Sequence, residues 1–389
     1  MKKKLKKIVY IINHTSFFVS HRFELAKYAN KNSYQIYLIT GKAGSKKMEK
    51  FSNKIIKKSK IKFFRANFSP SSINIFSEIS SFYQIIKFCR KIKPDIIHTA
   101  SPKANLIGGL VGKIINVPSL VISISGEGHL FTKKNIINNI LSFVYKLIQK
   151  YIFSHQNKTI ILQNTEDFKK FSKLDNYTNC SLVPGSGVNL NKYKSISPHQ
   201  TNKNILFVGR ILIDKGIIEF IEAAKYIKKK FPDWNFIVVG PKDYKNPSKI
   251  KDKILDKWIS DRIIIWKDYN ANMSKYYENS AIVCLPSHKE GFSKVILEAG
   301  ASARPVVVSD IPGCKEAMLP KISGELFKKK DSKQLIKKLI LLINNPKLRV
   351  KYGIYGRKLV KEKFEINKIN KKILNIYNSL YKKCTTKKN

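Results

Sequence analysis

The chain has 389 residues, which is too long for one compact core and short for three, so two domains are expected. Its composition, with 43% hydrophobic and 11% aromatic residues, is that of a globular protein. The five cysteines are odd in number, widely scattered and never in a CxxC pair, which argues against a disulfide framework or a zinc site and favours a reducing cytoplasm.

The formal net charge of +49 is compatible with nucleic-acid binding, with attraction to an anionic membrane surface, or with codon bias alone. Lysines are spread along the whole chain, and Ile and Asn are also heavily used, as a strongly AT-rich genome would produce. No RNP, helix-turn-helix or zinc-finger pattern occurs in the sequence. We therefore expect no nucleic-acid partner, and both the anionic membrane surface and codon bias stay open.

The first residues, "MKKKLKKIVYIINHTS", are basic like a signal peptide, but the apolar run from Ile8 to Ile12 is too short and breaks at Asn13. This run predicts a first strand instead. No run of about 18 apolar residues occurs anywhere, so no membrane-spanning helix is expected.

Short apolar runs then alternate with helical patterns, which is typical of βαβ units and a parallel sheet. The first set of predicted strands covers 7–12, 34–40, 95–99, 120–125 and 159–164. The second set covers 204–209, 235–240, 262–266, 281–286 and 305–310. The polar stretch 192–204 between the sets has no periodicity and is predicted to be a linker.

This order predicts an α/β protein of two tandem Rossmann-like domains, whose parallel sheets face a cleft where ligands bind at the carboxyl ends of the strands. We place the first domain at 1–195 and the second at 203–365. Residues 366–389 are predicted to form a C-terminal helix that packs back on the first domain.

The stretch "SHKEGFSKVILEAGASARPVV" (287–307) carries Glu290 and Glu298, eight positions apart, after a predicted strand. A helix that starts near Ser293 points its first N–H groups and its dipole at a site that favours an anion such as a diphosphate. Gly291 lets the backbone come close to that anion.

Two carboxylates beside an anion site suggest a nucleotide sugar, because each can accept hydrogen bonds from sugar hydroxyls on either side of the diphosphate. Spacing alone leaves a structural alternative, since acidic residues favour helix N-termini. In "ILFVGRILIDKGI" (205–217), Arg210 and Lys215 follow the first strand of the second half. Fixed cations there can neutralise the charge on a departing nucleoside diphosphate, which favours the functional interpretation.

The series "VGR", "KG", "EGFSKVILE" and "IPG" with Glu316, in this order and spacing, resembles the retaining glycosyltransferases of family 4, which have the GT-B fold. The resemblance covers essentially the whole chain and is strongest in the second half. It implies a nucleotide-sugar donor, expected to be UDP-linked, and no metal or other cofactor. The absence of a DxD motif that would bridge Mg²⁺ to a diphosphate agrees with this implication.

The same resemblance implies roles for single residues. Glu298 corresponds to the glutamate that holds the donor ribose, and Glu290 to the one that contacts the donor sugar. Arg210 and Lys215 correspond to the residues that bind the diphosphate. Gly291, Phe292 and Ser293 correspond to positions whose backbone approaches the sugar and phosphate.

The first half resembles the branch that extends bacterial lipid-linked sugars, through 16–40, 96–113 and 182–193. This implies an undecaprenyl-diphosphate-linked saccharide as acceptor, in the assembly of O-antigen or capsule. Ser16, at the start of the loop after the first strand, is placed on the acceptor side.

One departure concerns catalysis. Many family members have a histidine before a glycine where this chain has Ser125 before Gly126. His129 or His98 is a candidate to replace it, although a lone histidine often has a structural role. Glu127 is a candidate to orient an acceptor hydroxyl. With Glu290, these two histidines are the candidate catalytic residues.

The resemblance also implies a mechanism. The family is thought to let the acceptor hydroxyl attack from the face of the leaving group, with the departing phosphate oxygen taking the proton. A covalent route through a carboxylate stays open.

Two other functions stay open. The alternative enzyme is a GT-B sugar-nucleotide epimerase, and the remote alternative is a non-catalytic nucleic-acid-binding protein.

A route to the membrane is also open. Residues 135–153 have apolar side chains at helical spacing, with Lys146 and Lys150 opposite, which predicts either packing on the first sheet or contact with a membrane interface. The basic segments 2–7 and 57–64 offer electrostatic attraction to anionic lipid. The expected location is cytoplasmic, peripheral at the inner face of the cytoplasmic membrane.

Overall fold

The computed structural model describes residues 5–41, 46–68, 75–125, 136–174, 179–195, 202–244, 246–269 and 272–386. The chain divides into two compact units, the first being Met1–Ser186 with Asn370–Asn389 and the second Gly187–Ile369. Residues 187–195, which the predicted boundary places in the first domain, belong by their contacts to the second unit. For example, the Val188 amide donates to the carbonyl of Phe364 at 3.0 Å.

The first unit is built on a parallel sheet whose described strands lie in the order β3-β2-β1-β4-β5-β6-β7. These strands are β1 (Lys6–His14), β2 (Tyr34–Gly41), β3 (Lys62–Arg65), β4 (Ile96–Ala100), β5 (Ser119–Ile124), β6 (Lys158–Leu162) and β7 (Cys180–Leu182). Its helices are α1 (Thr15–His21), α2 (Phe23–Lys31), α3 (Lys46–Lys57), α4 (Ile75–Ile92), α5 (Pro102–Ile114), α6 (Ile136–Phe153) and α7 (Thr165–Leu174).

The sequence explains why β1 lies at the centre of this sheet. Its residues Ile8–Ile12 are all fully buried, as expected for a continuous apolar run covered on both faces. Val9 and Ile11 contribute to a core that also contains side chains of α4, α5 and α6. Tyr10 points to the opposite face and pairs in register with His98 of β4.

The second unit has a parallel sheet with described strands in the order β10-β9-β8-β11-β12-β13. These are β8 (Asn204–Val208), β9 (Asn235–Val239), β10 (Ile265–Lys267), β11 (Ile282–Leu285), β12 (Val306–Ser309) and β13 (Gly324–Phe327). Its helices are α8 (Ile217–Lys230), α9 (Asp252–Ser260), α10 (Met273–Glu278), α11 (Lys294–Ala301), α12 (Pro312–Lys315), α13 (Ser332–Asn344) and α14 (Pro346–Leu359). Apolar clusters cover both faces of the sheet.

The strand order of each sheet reverses direction at one place, between β1 and β4 in the first unit and between β8 and β11 in the second. Loops that leave two strands at such a switch point diverge and open a crevice at the carboxyl edge of the sheet. The switch points therefore mark the candidate ligand-binding edge of each unit.

The last helix, α15 (Ile366–Thr386), brings the chain back to the first unit, with which residues from Asn370 onward are grouped. The hydroxyl groups of Tyr377 and Tyr10 lie 3.0 Å apart, and Tyr34 donates to Asn378 at 2.8 Å. Within the described residues, no helix combines the length and apolarity needed to cross a membrane.

The structure confirms the predicted fold class of two Rossmann-like domains with parallel sheets. It differs at short edge strands, since β3, β7 and β13 were not predicted. The strand predicted at 262–266 begins only at Ile265. Arg262 has a left-handed φ of 53°, and the Ile263 amide donates to the carbonyl of Trp258 at 3.0 Å. Residues 262–263 therefore belong to the turn that terminates helix α9 and not to the strand.

Candidate active site

The candidate site lies at the switch point of the second unit, where β8 and β11 end. The loop after β8 leads through a short 3₁₀ turn at Ile213–Lys215 into α8, and the loop after β11 leads to α11. The candidate donor residues follow these two strands or lie in the first turns of α11. The parallel topology thus gathers residues that are about 80 positions apart in sequence at one edge of the sheet.

Glu290 is held by two side chains from these loops. Its Oε1 accepts a hydrogen bond from Lys215 Nζ at 2.6 Å and another from Ser287 Oγ at 2.7 Å. The side chains of Lys215 and Glu290 are 23% and 15% exposed, so the pair is partly shielded but still reachable from solvent. The predicted sugar contact and one predicted diphosphate contact are therefore direct neighbours.

Two glycines allow the loops to approach this closely. Gly216 has φ 76°, and a Cβ there would lie 2.0 Å from the carbonyl oxygen of Pro286. A Cβ on Gly313, in the "IPG" motif, would lie 2.3 Å from the carbonyl oxygen of Glu290. Any larger residue would push the loops apart, so these two glycines help to hold Glu290 in its place.

His288, which the sequence did not single out, fixes the same loop to helix α8. Its Nε2 lies 2.8 Å from Glu219 Oε1, and its amide donates to the carbonyl of Asp214 at 2.9 Å. Burial acts to raise the pKa of Glu219, but the hydrogen bond with His288, a backbone hydrogen bond and the electrostatic effects of neighbouring groups outweigh it and lower this pKa below its ordinary value. Glu219 is therefore an ionised anchor for the loop that carries Glu290.

Glu298, on α11, is buried and is held by tyrosines. Its Oε2 accepts a hydrogen bond from Tyr277 at 2.8 Å, and Lys294 Nζ lies 3.8 Å from its Oε1. Tyr193 also lies against it: burial raises the pKa of this phenol, and the negative charge of Glu298 raises it further. Tyr193 comes from the stretch predicted to be a linker, so sequence periodicity gave no signal for it.

Ser293 and Phe292 shape the loop between the two glutamates. Ser293 caps α11, with its Oγ accepting from the Ile296 amide at 3.4 Å. The Ser293 amide donates to the carbonyl of Gly313 at 2.9 Å, so in this structure it is engaged within the protein. The Phe292 ring is buried against Phe364, with ring centroids 5.3 Å apart.

Arg210 follows β8 and is the most exposed of the candidate donor residues that carry a charge. Its Nη1 donates to Asp243 Oδ2 at 2.7 Å, and its side chain is 51% exposed. Both candidate cations are thus paired with carboxylates, Arg210 with Asp243 and Lys215 with Glu290. Among the residues that the structure describes, no group of three or more His, Cys, Asp or Glu side chains could hold a metal ion.

In the first unit, the structure gives His98 a core position. The ring is fully buried, with Nδ1 2.5 Å from the Tyr377 hydroxyl and Nε2 2.7 Å from Ser123 Oγ. Burial lowers its pKa well below the ordinary value, so the ring is neutral. Because both nitrogens are occupied inside the fold, this geometry favours a structural role for His98 over the predicted substrate contact.

Two acceptor-side candidates, Ser16 and Ser125, lie at or near the switch point of the first sheet. Ser16 Oγ lies 2.7 Å from His14 Nδ1, which also accepts from the Phe17 amide and caps α1. The sequence analysis did not select His14 as a candidate. Its position just after the first predicted strand could have indicated it, because ligands bind at the carboxyl ends of parallel strands. Ser125 directly follows β5 and is partly exposed. Glu127 and His129 lie outside the described residues.

Comparisons with known proteins give the family of both halves of the chain. Residues 191–359 match the family model described as "Glycosyl transferases group 1", and residues 7–164 match "Glycosyl transferase 4-like". Together the two models span most of both units. The chain belongs to glycosyltransferase family 4.

This glycosyltransferase is similar to several bacterial enzymes. One is the N,N'-diacetylbacillosaminyl-diphospho-undecaprenol alpha-1,3-N-acetylgalactosaminyltransferase of Campylobacter jejuni, at 29% identity over 73% of this chain and 77% of that protein. Another is the UDP-Gal:alpha-D-GlcNAc-diphosphoundecaprenol alpha-1,3-galactosyltransferase of Escherichia coli, at 27% identity over 80% and 83%. A third is the capsular polysaccharide biosynthesis glycosyltransferase CapM of Staphylococcus aureus, at 28% identity over 81% and 84%.

Solved structures share the fold of this glycosyltransferase. A sucrose-phosphate synthase from Thermosynechococcus elongatus has a TM-score of 0.76 at 16% identity, covering 97% of this chain and 99% of that one. Anabaena HepE in complex with UDP-glucose has a TM-score of 0.74 at 15% identity, covering 96% and 99%. The fold is therefore GT-B.

Proposed function

We propose that this glycosyltransferase moves a hexose or N-acetylhexosamine from a UDP-linked donor, with retention of configuration, to a saccharide carried on undecaprenyl diphosphate. The product would serve surface polysaccharide or oligosaccharide assembly. The names of the C. jejuni and E. coli relatives support the acceptor class. The observation that carries the proposal is the Lys215–Glu290–Ser287 cluster together with the anchored Glu298, since a cation and two fixed carboxylates suit a diphosphate between two sugars.

In this proposal Glu298 binds the donor ribose. Tyr277 occupies Oε2 and thereby fixes the plane of the carboxylate, while Oε1 is directed toward the longer Lys294 contact of 3.8 Å. A carboxylate oxygen has more than one lone pair, so Oε1 can accept from ribose hydroxyls. The buried tyrosine keeps this acceptor in one position before the donor arrives.

Glu290 and Lys215 then act on the sugar and the diphosphate. Lys215 Nζ has three N–H donors, so it can keep its bond to Glu290 and still donate to a phosphate oxygen. Glu290 in turn accepts from donor-sugar hydroxyls. Arg210 is half exposed and can exchange its contact with Asp243 for the diphosphate, where its planar group suits phosphate oxygens.

The chemical step needs no side-chain base. The bond from the anomeric carbon to the phosphate oxygen breaks, and its electron pair leaves with UDP. The acceptor hydroxyl oxygen bonds to the same face of the anomeric carbon, and its proton passes to the departing phosphate oxygen. The protein contributes position and stabilisation of the growing diphosphate charge through Lys215 and Arg210, without a metal.

In this proposal the enzyme works at the inner face of the cytoplasmic membrane, as a peripheral protein, where its proposed acceptor would lie. The net charge of +49 supports this location, because anionic headgroups attract lysines by about 1 kcal/mol per residue near the surface. Chain segments such as 57–64 carry these lysines on the first unit.

The test is a donor screen with detergent-dispersed polyprenyl-diphosphate saccharides as acceptors. A panel of UDP-sugars should give one labelled product, and its anomeric linkage should match that of the donor. Inversion of the linkage would contradict the retaining mechanism. Conversion of a UDP-sugar without any acceptor would favour an epimerase instead.

A further inference from the structure

Helix α6 of the first unit has two apolar faces. One face packs on the sheet, where Ile152 is buried. The other carries four exposed side chains, 63% for Phe143, 43% for Val144, 52% for Leu147 and 48% for Tyr151. At about 3.6 residues per turn these four lie on one side of the helix, and we call them the α6 outer strip. A helix on a sheet needs only one apolar face, so the fold does not account for the strip.

Positive charge borders the α6 outer strip. Lys146 and Lys150 are exposed on the same helix, and Lys113 Nζ from α5 lies 5.6 Å from the centroid of the Tyr151 ring. The sequence ranges 102–114 and 136–153, which form α5 and α6, contain no Asp or Glu. Ile114, which follows Lys113 on α5, is 47% exposed. The described part of this surface is therefore apolar in the middle and cationic at its edge, and neither helix contributes an acidic side chain to it.

We propose that the α6 outer strip docks the enzyme on an anionic lipid surface, with Phe143 and Leu147 entering the headgroup region. The inference rests on the proposed acceptor for its biological setting and goes beyond it by naming the docking element. Charge complementarity favours lipid: the lysines meet anionic headgroups, while the apolar side chains reach the acyl boundary. A second copy of the chain would bring the same cationic edge against itself, which like-charge repulsion disfavours.

The two kinds of contact predict separate effects on binding. Removal of one buried large apolar side chain should weaken vesicle binding about tenfold or more. Removal of one lysine near the surface should weaken it about fivefold, and only at low salt. Apolar and charge variants should therefore differ in their salt dependence.

The experiment is sedimentation of the full-length protein with vesicles of phosphatidylcholine alone or with about one third phosphatidylglycerol, at low and high salt. The variants are the double change Phe143→Ser with Leu147→Ser and the double change Lys146→Gln with Lys150→Gln. The matched control is Ile354→Ser with Tyr355→Ser on α14, where two apolar side chains are 60% and 41% exposed. Melting temperatures should stay within a few degrees, because all these side chains lie at the surface.

We expect wild-type protein and the α14 control to bind anionic vesicles equally. At either salt concentration, the strip variant should bind about a hundredfold or more weakly than the wild type. The lysine variant should bind more weakly than the wild type at low salt and about equally at high salt. Wild-type binding by the strip variant would overturn the proposal. The proposal would also be overturned if the wild type were a dimer, the strip variant were a monomer, and neither protein bound vesicles. The strip would then join two copies of the chain.

The proposed function and the docking inference fail in different assays. Vesicle binding is measured without donor or acceptor, so it does not depend on the sugar chemistry. With a detergent-dispersed acceptor, the strip variant should keep wild-type turnover. Loss of turnover there would place the strip in the acceptor site rather than at a docking surface, and would overturn the inference.

Discussion

The two units place their polar side chains differently relative to solvent. In the first unit, His98, Tyr377, Tyr10 and Ser123 are buried and bond to one another, so the network fastens α15 to the sheet. In the second unit, Glu290 has a partly exposed carboxylate fixed by short contacts. A histidine at a strand end can thus be enclosed in the fold, while a glutamate in a loop keeps a carboxylate that solvent can reach.

The largest effect should come from Glu290→Gln, which keeps the shape of the side chain and removes the charge that pairs with Lys215. We expect kcat to fall by about 10²–10³-fold, with a smaller change in KM. Steady-state kinetics on the preferred donor measures this. The control Glu222→Gln, an exposed position on α8, should keep wild-type kinetics. Equal kinetics for Glu290→Gln and wild type would remove the carboxylate from the chemistry.

The double variant Arg210→Ala with Lys215→Ala tests whether cations of the second unit bind the diphosphate. Each charge-assisted contact contributes about 1.5–3 kcal/mol, so UDP should bind about a hundredfold or more weakly by calorimetry. Lys225→Ala, exposed on α8, is the matched control. Wild-type activity should also persist in excess EDTA. Complete loss on chelation, restored by Mg²⁺ or Mn²⁺, would contradict the proposed role.

Tyr277→Phe tests whether the buried tyrosine positions Glu298 for the ribose. Loss of one hydrogen bond in a buried site costs about 1–3 kcal/mol, so KM for the donor should rise about tenfold while kcat changes little. The exposed Tyr226→Phe on α8 should change neither constant. A lower melting temperature with unchanged KM would leave Tyr277 with a purely structural role.

The smallest effect on activity should come from His98→Gln, which can keep both hydrogen bonds. Burial lowers the pKa of His98 well below 6.5, so as pH falls below this value the unfolded ring gains a proton that the folded ring excludes. The contribution of the neutral His98 ring to the free energy of unfolding is complete above about pH 6.5. It is lost as pH falls toward the lower folded pKa, by up to about 1.4 kcal/mol per pH unit.

His155, whose pKa burial also lowers, adds a second contribution of the same sign. His98→Gln should therefore make the fall in unfolding free energy between pH 7 and 5 shallower without abolishing it. Urea titrations at several pH values measure this, and turnover at pH 7.5 should stay within about threefold of wild type. A hundredfold loss of turnover in a folded variant would instead support a catalytic role for His98.

Sequence reasoning could predict the features that local patterns encode. Continuous apolar runs located most strands, and the helix predicted to start near Ser293 is α11, which Ser293 caps. The burial of His98 could not be predicted, because its partner Tyr377 lies 279 residues away on the returning helix. The pairing of His288 with Glu219 across 69 residues likewise depends on the packing of α8 beside β11.

Hydrogen–deuterium exchange with and without UDP tests the central comparison most directly, because it needs no knowledge of the donor sugar. We expect UDP to protect peptides that cover 209–216 and 287–298 in the second unit. The Tyr10, His98 and Tyr377 peptides should exchange slowly in both states and show no difference. Protection confined to first-unit peptides, with no change at 287–298, would contradict the assignment of donor binding to the second unit.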